Sequence, residues 1–276
     1  MRQSPALRLR SPSVWPLALA GALTALIFCS PASAQDDGTT RGADLTTGLL
    51  AHYPLDGDAL DTSGQNRHGT LSTIPAPLFA AGALGQALDL RGIDAWVDLP
   101  VVLNSVSNCS IAAFFQVDSY DGSNSTFGIN VLFSEVLPAS PMNEVALALD
   151  ENPILRVFLY PVTGFADFLA PPTSWQHVLF TFEGSTNTVT AYQNGVFSGS
   201  TQILDQPSSL CGTASAATLG ALDFNGNMEG FFDGRIDEVR IYDRLLGAPE
   251  AVALWAEYAN LFLDGFETGN TNAWSP

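Results

Sequence analysis

Short segments in which apolar and polar residues alternate recur between residues 48 and 246, separated by Gly, Pro, Asn and Asp. The clearest is Cys109–Val117, whose apolar residues at every second position are Cys109, Ile111, Ala113, Phe115 and Val117. Strand side chains point alternately to opposite faces, so this segment predicts a strand with one apolar face. Similar reasoning predicts strands at Gly48–Leu55, Gly85–Pro100, Ile129–Val136, Asn143–Leu149, Ile154–Tyr160, Trp175–Glu183, Thr188–Phe197, Thr218–Leu222 and within Gly230–Leu246.

The succession of these segments predicts an all-β domain. Many short strands with turn residues between them are typical of antiparallel sandwiches and barrels. Asn194-Gly195 lies between two apolar stretches and predicts a hairpin with a type I′ turn. One helix is predicted, at Pro249–Tyr258, where apolar residues recur at steps of three.

The last predicted strand contains two adjacent acids, Asp237 and Glu238. Alternation places Asp237 on the same face as Val239 and Ile241, and Glu238 on the opposite face. If Val239 and Ile241 face the core, Asp237 is turned inward with them. A buried carboxylate needs a cation, an arginine or several N–H donors, because its desolvation is otherwise too costly.

Several segments together resemble the laminin-G-like, concanavalin A-like lectin and glucanase jelly-roll family. Residues 234–242, Gly-Arg-Ile-Asp-Glu-Val-Arg-Ile-Tyr, are close to that family's closing strand, and residues 85–100 are similar to one of its hairpins. The family's Asp-x-Ser-Gly-x-x-x-x-Gly loop is matched at Asp61, Ser63, Gly64 and Gly69. The resemblance implies an all-β fold, an antiparallel two-sheet β-sandwich (jelly roll) with one short C-terminal helix, whose first and last strands lie together.

The sequence divides into four regions. Residues 1–34 are predicted to be a secretory signal peptide, with three arginines, an apolar run and a small-residue cleavage site ending at Ala34. A membrane anchor is the alternative, but the apolar run is too short to span a bilayer comfortably. Residues 35–47 are predicted to be a flexible lead and 48–260 the jelly-roll domain. Residues 261–276 resemble a C-terminal signature of exported proteins of some Gram-negative bacteria. The expected location is extracellular, periplasmic or at the cell surface.

The chain is strongly acidic, with a formal charge of −18 and no lysine. Removal of the predicted signal peptide and its three arginines would change the charge to −21. Such a surface repels phosphate backbones and anionic lipid, so nucleic acid is not an expected partner. Calcium, cationic partners and neutral sugars are compatible with it.

Two cysteines, Cys109 and Cys211, remain after the predicted cleavage. In an oxidising compartment we expect them to form a disulfide, and two unpaired buried thiols are the alternative.

Two sets of oxygen-bearing side chains are calcium hypotheses. The first set joins the loop after the first strand to the last strand and comprises Asp56, Asp61, Asn66 and Asp237. The second set has side chains at every other position, as in the first half of a calcium loop, and comprises Asp223, Asn225, Asn227 and Glu229. For both sets, hydrogen-bonded turns without metal are the alternative.

Catalysis is not expected. Retaining glucanases need two carboxylates about 5 Å apart, and on this fold these alternate along one strand. Asp237 and Glu238 are adjacent and therefore predicted on opposite faces.

Aromatic residues in loop-like stretches are the candidates for stacking on a sugar ring, namely Tyr120, Phe127, Phe165 and Phe168. Ordinary packing at the edge of the core is the alternative. The sequence predicts a secreted, non-catalytic binding module for an extracellular glycan or glycoprotein, with calcium as a candidate cofactor. The alternatives are a surface adhesion or structural protein without sugar affinity, and a degenerate relative of a polysaccharide-cleaving enzyme.

Overall fold

The structure is a computed structural model, and it describes residues 43–73, 75–90, 95–104, 106–120, 125, 128–137, 140–150, 154–159, 164–169, 174–203, 216–224 and 226–263. Within these residues the chain forms seventeen β-strands and one α-helix. All strand pairs are antiparallel. The predicted all-β, two-sheet architecture with one helix is confirmed.

Eight strands form the first sheet, called sheet A, in the order β13-β12-β11-β6-β17-β4-β3, with β1 also paired to β17. The strands of sheet A are β1 (Leu49–Tyr53), β3 (Leu78–Ala81), β4 (Gln86–Asp89), β6 (Asn108–Val117), β11 (Gln176–Glu183), β12 (Thr188–Gln193), β13 (Val196–Gln202) and β17 (Gly234–Tyr242). The first and last strands therefore lie together, as expected.

Seven strands form the second sheet, called sheet B, in the order β10-β9-β8-β7-β14-β5-β2. They are β2 (Thr70–Leu71), β5 (Val97–Leu99), β7 (Ile129–Leu137), β8 (Ser140–Asp150), β9 (Ile154–Leu159), β10 (Gly164–Leu169) and β14 (Ala216–Leu219). A separate hairpin is formed by β15 (Leu222–Phe224) and β16 (Asn227–Glu229), and the helix is α1 (Ala248–Leu263).

The main core lies between the two sheets. All five apolar residues predicted to share one face of Cys109–Val117 are buried in it, which confirms the alternation of β6. They pack in one cluster with residues of sheet B such as Phe133 and Leu147. A void of about 20 Å³ remains beside Cys109 and Val189.

The helix α1 covers the other face of sheet A. Leu246, Ala251 and Leu254 pack on Leu179 and Tyr242. The helix is five residues longer at its C-terminal end than the sequence predicted and starts one residue earlier. Among the described residues, no helix is both long and apolar enough to cross a bilayer.

Two expectations about chain connections need correction. The predicted hairpin at residues 85–100 is wrong, because β4 pairs within sheet A and β5 pairs within sheet B. Strands of both sheets turn apolar residues toward one core, so local alternation does not distinguish a hairpin from a crossing between sheets. The predicted flexible lead is partly attached, since the backbone carbonyl groups of Leu45 and Thr47 accept hydrogen bonds from Tyr242 and Arg244.

Candidate metal centre and ligand-binding surface

A β-bulge interrupts β17 beside the first strand. Asp237 pairs with Phe114 and Arg240 with Ala112, so Glu238 and Val239 together stand opposite one residue of β6. Glu238 adopts a positive φ of 50°, a backbone conformation that costs free energy for a residue other than glycine. The bulge changes the alternation of the strand.

Asp237 is buried, as the sequence predicted, but it does not share a face with Val239 and Ile241. Its cross-strand partner is Phe114, which packs toward α1, whereas Val239 and Ile241 belong to the core between the sheets. Directly paired residues point to the same face. The prediction of its face was therefore wrong because it assumed an uninterrupted strand.

The loop Gly82–Gln86 contacts the Asp237 carboxylate. Asp237 Oδ2 accepts a hydrogen bond from the Leu84 N–H at 2.9 Å, whereas Oδ1 is buried without a partner. Burial raises the pKa of Asp237 to about 8, and the Glu238 carboxylate adds to this rise, although the backbone N–H groups of Leu84, Ala83 and Glu238 act in the opposite direction. A Cβ on Gly82 would lie 2.5 Å from Asp237 Oδ2 and 2.7 Å from the Gln86 carbonyl oxygen. Only glycine fits at position 82, because the Asp237 carboxylate and the Gln86 backbone approach it too closely for a Cβ.

Asp56 binds the same loop. Its Oδ1 accepts a hydrogen bond from the Gln86 N–H at 2.6 Å, and the residue is otherwise exposed. Two members of the first predicted calcium set, Asp56 and Asp237, are therefore both attached to Gly82–Gln86.

The other two members of that set belong to a different turn. Asp61 accepts hydrogen bonds from the N–H groups of His52, Ser63 and Arg67. Burial alone would raise the pKa of Asp61, but these donors hold it below its ordinary value. Asn66 is exposed at a positive φ of 56°. For Asp61, the hydrogen-bonded turn accounts for both carboxylate oxygens.

Metal binding at Asp237 would depend on backbone and water ligands. Among the described residues, no group of three or more His, Cys, Asp or Glu side chains could hold a metal ion. Calcium accepts backbone carbonyl oxygens and water together with one or two carboxylates. The unpartnered Oδ1 of Asp237, the Gln86 carbonyl and the nearby Asp56 are oxygen donors of the kind that calcium takes.

The second predicted calcium set is not assembled as a loop. Asp223 pairs with Met228, whereas Asn227 pairs with Phe224 and Glu229 with Leu222. Paired residues share a face, so Asp223 lies on one face of the hairpin and Asn227 and Glu229 on the other. Residues at every other position lie on one face only when they belong to the same strand. Here a turn separates Asp223 from Asn227 and Glu229. Asn225 lies outside the described residues.

The predicted aromatic platforms are placed differently from the expectation. Tyr120 packs against the core, and burial raises its pKa. Phe165 and Phe168 lie on the edge strand β10 rather than in loops. Phe127 lies outside the described residues. Cys109 is buried in the core, and because Cys211 also lies outside that part of the chain, their disulfide stays a prediction.

A charged network that the sequence did not reveal surrounds Glu238. His52 Nε2 lies 2.6 Å from Glu238 Oε2, and Arg240 bonds the same oxygen at 2.8 Å and Glu257 of α1 at 2.8 Å. Burial alone would raise the pKa of Glu238, but the hydrogen bond to His52 and the charge of Arg240 hold it below its ordinary value. The network stabilises the strained bulge and connects β1, β17 and α1.

The tip of the β12–β13 hairpin is a second feature that sequence reasoning missed. Asn194 and Gly195 both have positive φ, which confirms the predicted type I′ turn. Immediately after the turn, the apolar side chains of Val196 and Phe197 are exposed. The sequence contained a signal for this exposure. Two large apolar residues follow the turn in succession, and neighbouring strand residues point to opposite faces, so at least one of them was expected to face outward.

The chain matches the model of a known protein family. A family model described as the concanavalin A-like lectin/glucanases superfamily matches residues 91–252, more than half of the chain. A search of the curated proteins found no match.

One solved structure with the same fold is a single domain that is matched over almost its whole length. Domain 4 of AbnA, a GH43 extracellular arabinanase from Geobacillus stearothermophilus, solved in complex with arabinotriose, is 26% identical with a TM-score of 0.57. The similarity covers 75% of this chain and 98% of that one.

Toxin domains are also similar in fold. The binding domain of Paraclostridial Mosquitocidal Protein 1 is 17% identical (TM-score 0.61), with 79% of this chain and 54% of that chain covered. A structure of botulinum neurotoxin type C, whose cell entry depends upon interaction with two ganglioside molecules, is 13% identical (TM-score 0.59), with 77% and 52% covered. This chain thus spans about half the length of those toxin chains.

Proposed function

Since the chain belongs to the concanavalin A-like lectin/glucanase superfamily, we propose that it is a secreted, non-catalytic binding module that recognises an extracellular glycan or glycoprotein with the assistance of calcium. The similarity to domain 4 of AbnA is the observation on which this proposal rests most directly. It extends over 98% of a domain that was solved with an oligosaccharide, and it covers most of this chain.

The net charge favours a neutral glycan over an acidic one. The formal charge is −18, and the ten positive residues are all arginines. A carboxylated or sulfated sugar would be repelled by this field, whereas a neutral sugar is insensitive to it. Arabinotriose, the ligand of the AbnA domain, is therefore a suitable first probe.

The internal contacts of the two adjacent acids support a non-catalytic role. Asp237 is fully buried beneath the loop Gly82–Gln86. Glu238 is bound by His52 and Arg240. A glycosidase acid and its partner carboxylate must both contact the scissile bond. Glu238 instead connects β1, β17 and α1, and Asp237 binds the loop Gly82–Gln86.

Calcium is assigned a structural role in this proposal. Asp237, Asp56 and the Gln86 carbonyl would hold the ion, and the ion would neutralise the buried carboxylate. The Asp237 side chain would hold the loop at Leu84, and Asp56 would hold it at Gln86. A fixed loop at this position would keep β3 and β4 attached to β17.

A panel of neutral oligosaccharides, arabinotriose included, tests the proposal on the exported protein with calcium and with a chelator. We expect saturable binding to at least one member of the panel and no cleavage products. Binding to host or cell-surface proteins with no affinity for any glycan would overturn the proposal in favour of an adhesion protein. Release of shorter sugars would overturn it in favour of an enzyme.

A further inference from the structure

The tip of the β12–β13 hairpin exposes apolar surface in an uncharged segment of an acidic chain. Val196 is 68% and Phe197 58% exposed. Residues 188–202 contain no charged side chain, although the whole chain has a formal charge of −18. Adjacent exposed apolar side chains mark a binding surface more often than a single exposed side chain does.

Polar groups surround the exposed ring. A shallow concavity of about 330 Å³ at the tip is lined by Gln193, Asn194, Val196, Phe197 and Ser198. The ring of Tyr192 meets that of Phe197 edge-on, with centroids 6.0 Å apart. Ligand sites of this size combine apolar walls with a few polar groups that fix orientation. A sugar ring needs both, because its C–H face is apolar and its hydroxyl groups form hydrogen bonds.

The hairpin tip is held rigidly by the rest of the domain. The Asn194 N–H donates to the His177 carbonyl at 2.9 Å, and Asn194 Oδ1 accepts from the His177 N–H at 2.8 Å. Asn194 Nδ2 donates to Gln176 Oε1 at 2.8 Å. A Cβ on Gly195 would lie 3.3 Å from the Trp255 Cβ of α1, so the turn rests against the helix. A site that is already ordered binds its ligand with a smaller loss of entropy.

We propose that this hairpin tip binds a neutral glycan, with the Phe197 ring stacked on one sugar face and with the exposed Ser198 bonded to a sugar hydroxyl. This inference rests on the proposed glycan-binding function and gives it a location. A protein interface is a poorer fit, because a stable one needs about 800 Å² per partner and three exposed apolar side chains, Val196, Phe197 and Val252, do not supply that area.

Substitution of the ring tests the location. Phe197→Ala should weaken binding of the best ligand in the neutral panel at least about tenfold, which corresponds to 1.4 kcal/mol. Phe197→Tyr keeps the stacking face and should bind within about threefold of the wild type. The matched control is Leu78→Ala, since Leu78 is 51% exposed on β3, the opposite edge strand of the same sheet. It should bind as the wild type does.

The outcomes separate this inference from the proposed function. If the wild type binds a glycan and Phe197→Ala binds it equally well, the location is wrong and the function stands. If Phe197→Ala loses binding but also loses its native circular dichroism, Ser198→Ala decides, and unchanged binding by that variant overturns the location. If the wild type self-associates in light scattering and Phe197→Ala abolishes this without affecting glycan affinity, the surface is an interface between copies and the inference fails.

Discussion

Asp56 and Asp237 bind the same five-residue loop, Gly82–Gln86, although 181 positions separate them in the sequence. Asp56 Oδ1 accepts the Gln86 N–H at 2.6 Å, and Asp237 Oδ2 accepts the Leu84 N–H at 2.9 Å. Asp56 follows β1 and Asp237 lies in β17, and these two strands pair directly. The loop is therefore attached to both ends of the domain, and a cation beside it would stabilise all three segments together.

Calcium is expected to raise the thermal stability through Asp237. At a calcium concentration one hundred times the Kd, the gain is about 2.7 kcal/mol, which for a domain of this size corresponds to a Tm increase of several degrees. Asp237→Asn should abolish the increase. Because burial keeps Asp237 largely neutral in the calcium-free protein, that variant should be about as stable as the wild type with chelator.

The control for this measurement is Asp223→Asn, since Asp223 faces away from Asn227 and Glu229. It should keep the full calcium response. Equal melting temperatures of the wild type with calcium and with chelator would remove the calcium site from the account.

Gly82 is expected to tolerate no side chain. In Gly82→Ala the added Cβ would meet Asp237 Oδ2 at 2.5 Å and Gln86 backbone atoms at 2.7 Å, so the loop must shift. We expect a loss of about 1–3 kcal/mol in urea unfolding, together with loss of the calcium response. Gly247→Ala is the control, because its Cβ would meet neighbours only at 3.4 Å or more. As a change at a helix N-cap, it should cost less than about 1 kcal/mol. Equal stability of Gly82→Ala and the wild type would contradict the close approach.

His177 is expected to destabilise the protein at low pH. It is buried with its ring against that of Phe114, and burial lowers its pKa to about 3, with the charge of Arg240 acting in the same direction. The folded state thus keeps His177 neutral, whereas the unfolded state binds a proton below about pH 6.5. The free energy of unfolding should therefore decrease as pH falls from 6.5 toward 3.

His177→Phe should make the pH dependence in that window less steep, as measured by urea unfolding at a series of pH values. Nuclear magnetic resonance of the imidazole provides a direct check. A His177 resonance that titrates near pH 6.5 in the folded protein would contradict the buried neutral state.

Cys109 and Cys211 are predicted to form a disulfide under oxidising conditions. The bond would close a loop of roughly one hundred residues, worth about 4–5 kcal/mol in the chain-entropy model. The mass of the unreduced protein should be two hydrogens lower than the mass of the reduced protein. Reduction of the disulfide should also lower the Tm. If two thiols react with a thiol reagent in denaturant without prior reduction, Cys109 and Cys211 do not form a disulfide.

The sequence predicted features that depend on one strand at a time. The apolar face of β6 and the Asn194-Gly195 turn follow from local alternation and local φ preferences, and the structure confirms both. Features that depend on how strands pair were less predictable. Local alternation did not reveal the bulge at Glu238, and the turn of the β15–β16 hairpin separated Asp223 from Asn227. The burial of Asp237 was predictable, but its face was not, since a single extra residue reverses every later face.

The network around Glu238 illustrates the same limit. His52, Glu238 and Glu257 lie in β1, β17 and α1, and no spacing along the chain indicates that they meet. The resemblance to the family placed the first and last strands together, and only the register of that pair brings His52 opposite Arg240.

Titration of the protein with neutral oligosaccharides, arabinotriose first, followed by chromatography of the recovered sugar, tests the glycan-binding proposal most directly. The account predicts saturable binding of at least one neutral oligosaccharide, recovered intact, with affinity reduced at least about tenfold in Phe197→Ala. Absence of binding to every neutral oligosaccharide at millimolar concentration, or recovery of shortened sugar, would contradict it.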